Sequence, residues 1–313
     1  MKNTYTNEPS RSAALAGAMD VPSSKIVYRT SKIEGLDIFY REAGPKDAPV
    51  VLLLHGFPSS SFMFRNLIPL LADKYHLVAP DFPGYGFSSA PCVNEFEYTF
   101  DHFTNVIEGF TEELGLKSYA IYLQDIGASV GYRLAVRHPE RVTALIIQNG
   151  EAYLEGINRD FSKPLEAYWK ERTEEKTKPL REWLLTIEGT KWHYTHGVRN
   201  QEVLSPDTWT LDQMLQDRPG NKEIQLAILY DAKTNLELYS MWQEYFRKHQ
   251  PPTLIVWGKN DGIFTVEGAR LYTKDLKNAE FHLFDTGHFA LEEDLEEMAS
   301  LIRDFLGRTS AAK

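Results

Sequence analysis

Three side chains in this sequence stand where an apolar strand runs out. Asp125 follows "SYAIYLQ" and precedes the helical pattern "ASVGYRLAVRHP", Asp261 follows "PTLIVWGKN", and His288 follows "AEFHLFDTG". In an open α/β sheet the loops at the carboxyl ends of the strands converge on one crevice, so two carboxylates and an imidazole placed there can act on one molecule. Each residue also has a plainer reading. An Asp ahead of a helix serves as an N-cap worth about 1 kcal/mol. Asp261 beside Gly262 is a turn former, and a histidine after a strand can be a core residue. Glu151, just past "VTALIIQNG", offers another carboxylate that could orient His288 in place of Asp261.

The elements that must position these groups alternate regularly. "KIVYRTSKIEG" (25–35) and "LDIFYREAG" (36–44) switch between apolar and polar residues around a Gly-bounded turn, which predicts an opening antiparallel hairpin. "PVVLLLHG" (49–56) is continuously apolar, as a strand buried on both faces is, and "SFMFRNLIPLLADK" follows at helical spacing. "YHLVAPD", the strand leading to Asp125 and "VTALIIQN" then alternate with helical segments, one of them "FDHFTNVIEGFTEELG" ending at Gly115. Repeated strand–helix units predict a mostly parallel sheet with right-handed crossovers.

The rhythm stops after Glu151 and resumes with "PTLIVWGKND", a helix over 266–276, the strand within "AEFHLFDTGH" and a last helix. In that helix Leu291, Leu295, Met298, Ile302 and Phe305 share one face. The expected organisation is a loose polar arm over 1–24, the first part of a core over 25–151, a helical cap over 152–250, and the second part of the core over 251–313.

Through "HGFP" (55–58), "DFPGYGFS" (81–88), "QDIGAS" (124–129), "VWGKND" (256–261) and "DTGHF" (285–289) the sequence resembles the α/β-hydrolases over about residues 25–308. The resemblance implies the α/β-hydrolase fold, a mostly parallel central sheet flanked by helices with a helical cap inserted after the sixth strand. It also implies Asp125 as nucleophile, Asp261 as orienting acid and His288 as base. The family's usual elbow is Gly-x-Ser-x-Gly; here the corresponding residues are Leu123, Gln124, Asp125, Ile126 and Gly127, so aspartate takes the serine's place. Ser129 falls on the first helical turn, beyond the apex.

A carboxylate that attacks an ester makes only a labile anhydride. At a saturated carbon bearing a leaving group it makes a stable alkyl ester. His288 can then deprotonate a water that attacks the Asp125 carbonyl, with Asp261 fixing the imidazole tautomer. The backbone N–H groups of Phe57 and Ile126 are the expected oxyanion hole.

Two kinds of hydrolase in this family use such a carboxylate. Haloalkane dehalogenases place a tryptophan directly after the nucleophile to hold the halide, where this chain has Ile126. Haloacetate dehalogenases carry arginines after it, at places held here by Ile126 and Ser129. "HGFP" resembles the epoxide hydrolases, in which two cap tyrosines donate to the epoxide oxygen; Tyr168 and Tyr230 stand at about those places. A motif like Tyr-Arg-x-Asn reads "LYDAKTN" here (229–235), which puts Ala232 where the second hydroxyl is expected and leaves Tyr230 or Tyr239 to supply it. The cap tryptophans Trp169, Trp183, Trp192, Trp209 and Trp242 read mostly as packing within the cap.

The leading expectation is an epoxide hydrolase making vicinal diols, with a hydrolytic haloalkane dehalogenase second. A ligand-binding member of the fold without turnover stands third, because a pure binder has no need of nucleophile, acid and base together.

Bulk composition narrows the field further. A chain of 313 residues with 42% apolar residues can bury a large core. With 34 basic against 44 acidic residues the formal charge is −10 and no basic stripe appears, so nucleic acid is not an expected partner. The single cysteine, Cys92, can form no internal disulfide, and no Cys/His group has zinc spacing. No metal or cofactor is therefore expected. "MKNTYTNEPSRSAALAGAMD" lacks a signal-peptide core, and no apolar run reaches about 18 residues. The expectation is a cytoplasmic enzyme for a small apolar organic substrate, with no membrane partner and a homodimer left open.

Overall fold

The opening hairpin forms as its alternation requires. β1 (Val27–Ile33) pairs antiparallel with β2 (Leu36–Ala43), and the turn passes through Glu34 and Gly35, both at positive φ. The structure is a computed structural model that describes residues 25–311; the arm expected over 1–24 lies outside the described residues.

β3 (Val50–Leu54), β4 (His76–Pro80), β5 (Tyr119–Gln124), β6 (Val142–Gln148), β7 (Thr253–Gly258) and β8 (Glu280–Phe284) complete one eight-stranded sheet in the order β1-β2-β4-β3-β5-β6-β7-β8. β2 meets β4 antiparallel, and every pairing from β4–β3 to β7–β8 is parallel. The chain leaves β3 toward β4 on one side and leaves β5 toward β6 on the other, so the crevice opens at the carboxyl ends of β3 and β5. Phe57 lies just past the first of these ends and Asp125 just past the second.

The helix expected after β3 is broken in two. A 3₁₀ turn over Ser61–Phe64 is capped by the Ser60 hydroxyl accepting from the Phe62 N–H, and α1 (Leu67–Leu71) follows with Pro69 in its first turn, where no N–H is required. α2 (Phe100–Glu113) and α3 (Ile126–Arg137) flank β5 in sequence. Between β6 and β7 come six α-helices, three short 3₁₀ or π turns and no strand: the α-helices are α4 (Arg159–Lys170), α5 (Glu174–Pro179), α6 (Ile187–Thr195), α7 (Asp207–Gln216), α8 (Asn221–Asp231) and α9 (Lys233–His249). α10 (Val266–Asp275) and α11 (Leu295–Ala311) close the chain.

Alternation within β3 serves both faces of the sheet. Leu52 and Leu54 pack with Phe103 and Val106 of α2, while Val51 and Leu53 pack with Leu67 of α1 and with Met298, Ile302 and Phe305 of α11. Each such side chain contributes roughly 1.5–3 kcal/mol on burial, which fixes the strand ends that carry the candidate site.

Candidate functional site

β5 ends at Gln124 and α3 begins at Ile126, so Asp125 turns the chain within one residue. It does so at φ 49°, ψ −121°, a conformation costing on the order of 1–3 kcal/mol for a residue with a Cβ. The Asp125 N–H donates to the Asn149 carbonyl at 3.1 Å and its own carbonyl accepts from the Ala128 N–H at 3.0 Å. Gly127 permits the close approach, since a Cβ there would lie 2.3 Å from the Leu54 carbonyl oxygen. The Asp125 carboxylate makes no capping bond into α3. Instead Oδ1 accepts the Phe57 N–H at 2.7 Å, and the Ile126 N–H lies against the same carboxylate.

His288 follows β8 and reaches back across the sheet. Its Nδ1 is 2.8 Å from Asp261 Oδ2, an oxygen that also accepts the Asn149 side-chain amide at 2.8 Å, while Oδ1 takes the Ile263 N–H at 2.8 Å. A carboxylate that only accepts places the proton on Nδ1 and leaves Nε2 as the basic nitrogen. Nε2 lies 3.9 Å from Asp125 Oδ2. Asn149 also clamps Gly258, accepting its N–H at 2.9 Å and donating to its carbonyl at 3.2 Å, so the end of β6 holds the loop that carries Asp261. Asp125, Asp261, His288, Phe57 and Ile126 are thus brought together.

Glu151 is not the partner of His288. Its Oε1 accepts the N–H groups of Ala152, at 2.8 Å, and Tyr153. Its Oε2 has no hydrogen-bond partner and fills the space beside Gly156 and Gly268.

Burial pushes the Asp125 carboxyl above the usual carboxylate range, against the opposing pull of His288 and the N–H groups of Phe57 and Ile126. Burial works the other way on the His288 imidazolium, but the charge and hydrogen bond of Asp261, then the charge of Asp125, outweigh it and hold its pKa above the ordinary value. Burial raises Glu151 to about 8, so it is a neutral acid at pH 7.

Above Asp125 is a mostly apolar cavity of about 130 Å³, roofed by helices between β6 and β7. Phe161, Leu165 and Trp169 of α4 line it at intervals of four residues. Tyr168, one position off that row, is turned into the cap, where its hydroxyl donates to the Leu226 carbonyl at 3.3 Å and accepts from Arg172 Nε at 3.1 Å. Tyr230 packs on Tyr168 and carries the Lys233 ammonium 3.6 Å from its ring centre. Neither tyrosine is among the residues that line the cavity. Ala232 borders it, and so does Tyr239 two turns further along the chain in α9.

Two more cavity residues bear on the chemistry. Among the cap tryptophans Trp169 borders the space, but its indole N–H is engaged by the Leu229 carbonyl at 2.7 Å. His193 of α6 has Nδ1 2.7 Å from the Gly189 carbonyl, and burial together with the charge of His288 lowers its pKa to about 3. It stays neutral, with Nε2 an acceptor.

Residues 49–295 match the α/β hydrolase fold family. The chain belongs to that family. It is 41% identical over 284 residues to the uncharacterized hydrolase YNR064C of Saccharomyces cerevisiae, covering 89% of this chain and 97% of the yeast protein. It is 26% identical to a haloalkane dehalogenase of Psychrobacter cryohalolentis, covering 87% of this chain and 88% of that protein. The crystal structure of haloalkane dehalogenase DbeA from Bradyrhizobium elkani superposes with a TM-score of 0.78 at 22% identity, over 92% of this chain and all of the other, a likeness of fold.

In this α/β hydrolase several motif residues build loops. His55 Nε2 accepts the Phe82 N–H at 3.0 Å, and Asp81 accepts the N–H groups of Ser61 and Phe87 at 2.7 and 2.8 Å. Sequence reasoning missed Asn149, Gln124 and His193. Asn149 carried one faint signal, an Asn-Gly pair directly after a strand. Among the described residues no helix is long and apolar enough to cross a membrane.

Proposed function

We propose that this α/β hydrolase opens epoxides to vicinal diols through an alkyl ester on Asp125. The observation that carries the reading is the apex carboxylate itself: Oδ1 is held by backbone N–H, while Asp125 borders the cavity beside His288 Nε2. Oδ2 attacks a ring carbon, the ring C–O bond breaks, and the freed electron pair on oxygen takes the proton of Tyr239. In the second step His288 Nε2 takes a proton from water and the hydroxide adds to the Asp125 ester carbonyl. The resulting oxyanion sits on the N–H groups of Phe57 and Ile126, each such donor being worth roughly 3–4 kcal/mol. Collapse expels the diol oxygen, which takes the proton from His288; the Asp125 carboxyl then returns its proton to Tyr239 through solvent.

Tyr239 supports an oxygen leaving group, because it lines the cavity and its hydroxyl makes no side-chain hydrogen bond; burial raises its pKa, so it holds its proton until a strongly basic alkoxide forms. A haloalkane dehalogenase is the second reading, favoured by the relatives of that name. The test is His288→Gln exposed to styrene oxide and to 1-bromobutane. Intact mass is expected to rise by the whole mass of the epoxide; an adduct from the bromide alone, with bromide released, favours the second reading. Normal turnover, or no adduct from either compound, contradicts the ester intermediate.

A further inference from the structure

We infer that Asn235 is a second donor to the leaving atom, aimed at it by the buried guanidinium of Arg133. The inference rests on the alkyl-ester reading and names the wall of the cavity that receives what the carboxylate displaces.

Arg133 projects from α3 and is only 4% exposed. Its Nε donates to Asp101 at 2.8 Å, one terminal nitrogen donates to the Ser129 carbonyl at 3.1 Å and to Asn235 Oδ1 at 2.7 Å, and the other donates to the Thr234 hydroxyl at 3.2 Å. A guanidinium has donors and no acceptor, so the Asn235 amide can meet it only through its oxygen. The amide orientation is therefore fixed, and its N–H groups point away from Arg133. Asn235 borders the same cavity as Asp125.

Asn235 also shares a helix face with the cap phenol. Ala232, the N-cap of α9, and Asn235, Leu236 and Tyr239 within it all line the cavity, at the i, i+3, i+4, i+7 spacing of one face. A hydroxyl and a carboxamide N–H thus stand one turn apart on the cap side, while Asp125 attacks from the sheet side. Displacement at saturated carbon drives the leaving atom away from the nucleophile, toward that wall. The two donors differ in what they offer: the phenol can give up a proton, whereas the amide can only donate a hydrogen bond, with the Arg133 charge behind it. An alkoxide needs both and a halide needs only the second. Tyr239→Phe should accordingly slow epoxide opening and spare displacement of a halide, and loss of the Asn235 N–H should slow both.

The experiment follows alkylation of the His288→Gln protein by intact mass, with styrene oxide and with 1-bromobutane as probes, in the presence and absence of Asn235→Asp. That variant keeps an oxygen for Arg133, so it retains the buried contact while removing the N–H. Asn235→Leu is the second variant, and the melting temperature of each reports folding. Alkylation by both probes is expected to fall about 100- to 1,000-fold, the range seen when a hydrogen-bond donor to developing charge is removed. With His288 intact, hydrolysis of the ester once formed should stay within about threefold of the parent. Alkylation within threefold of the parent in a folded Asn235→Asp variant overturns the role, as does an equal loss in the hydrolysis step, which a merely structural residue would give. If the His288→Gln parent gains no adduct from either probe, the Asp125 ester reading fails and this inference falls with it.

Discussion

The side-chain amide nitrogen of Gln124 stands 2.7 Å from His288 Nε2, closer to that nitrogen than Asp125 Oδ2 at 3.9 Å. A donor at that nitrogen stabilises the neutral ring and opposes the rise in pKa that Asp261 and Asp125 produce. On the proposed mechanism hydrolysis of the ester needs neutral His288, and with Asp125 esterified Asp261 is left to oppose the effect of burial on the imidazolium, so the rate should climb with pH through the titration of His288. In Gln124→Leu the donor is gone and the rising limb should move to higher pH by roughly half to one unit, the equivalent of a hydrogen bond worth about 1 kcal/mol. Single-turnover hydrolysis across pH 5 to 9 reads this directly; an unmoved limb would show that the amide does not hold Nε2.

Asn149 is the residue that holds Asp261 in place. It adopts φ 42°, accepts the Gly258 N–H and donates to Asp261, all in a fully buried setting. Asn149→Ala leaves a buried N–H and a carboxylate short of partners, at about 1–3 kcal/mol for such a loss. Denaturant unfolding should show that drop. Adduct hydrolysis should slow more than alkylation, because the imidazole loses its anchor while Asp125 keeps its N–H donors. Equal slowing of both steps would contradict a role through Asp261.

Glu151 should make the protein sensitive to alkali. Its carboxyl loses a proton near 4.5 when unfolded and near 8 when folded. Between those values the folded state holds more protons, so stability falls as pH rises through the window. Glu151→Gln keeps the oxygen that accepts the N–H groups of Ala152 and Tyr153 and removes the ionisation. The variant should gain on the parent from pH 5 to pH 8 by up to about 1.4 kcal/mol per unit. Urea titrations at the two pH values decide it, and a gap that does not change with pH would contradict the raised pKa.

How far the sequence could be read depended on how local each signal was. The alternation in β1 and β2, the apolar run of β3 and the one-faced pattern of α11 are properties of consecutive residues, and each appears where its period placed it. The split after β3 was not legible, because the helical spacing of residues 61–74 continues through the break at Arg65 and Asn66. Asp125, Asp261 and His288 were marked by their strand ends. For Tyr168 and Tyr230 the sequence position says that they lie in the cap but not which way a helix is rotated; one residue's offset, about 100° of turn, separates Tyr168 from the row of Leu165 and Trp169 that lines the cavity. Asn235 was invisible as a donor for a different reason: its orientation is set by Arg133, about a hundred positions earlier in the chain.

The identity of the attacking oxygen is the most direct measurement of whether Asp125 is a nucleophile. With enzyme in excess over a styrene oxide substrate in ¹⁸O-labelled water, a single turnover should place the label in the peptide containing Asp125 and leave the diol unlabelled. On the proposed mechanism the diol takes its new oxygen from Oδ2, and water attacks only the ester carbonyl. Label found in the diol after that first turnover, with none in the peptide, would mean that water attacks the substrate carbon itself and that Asp125 forms no ester.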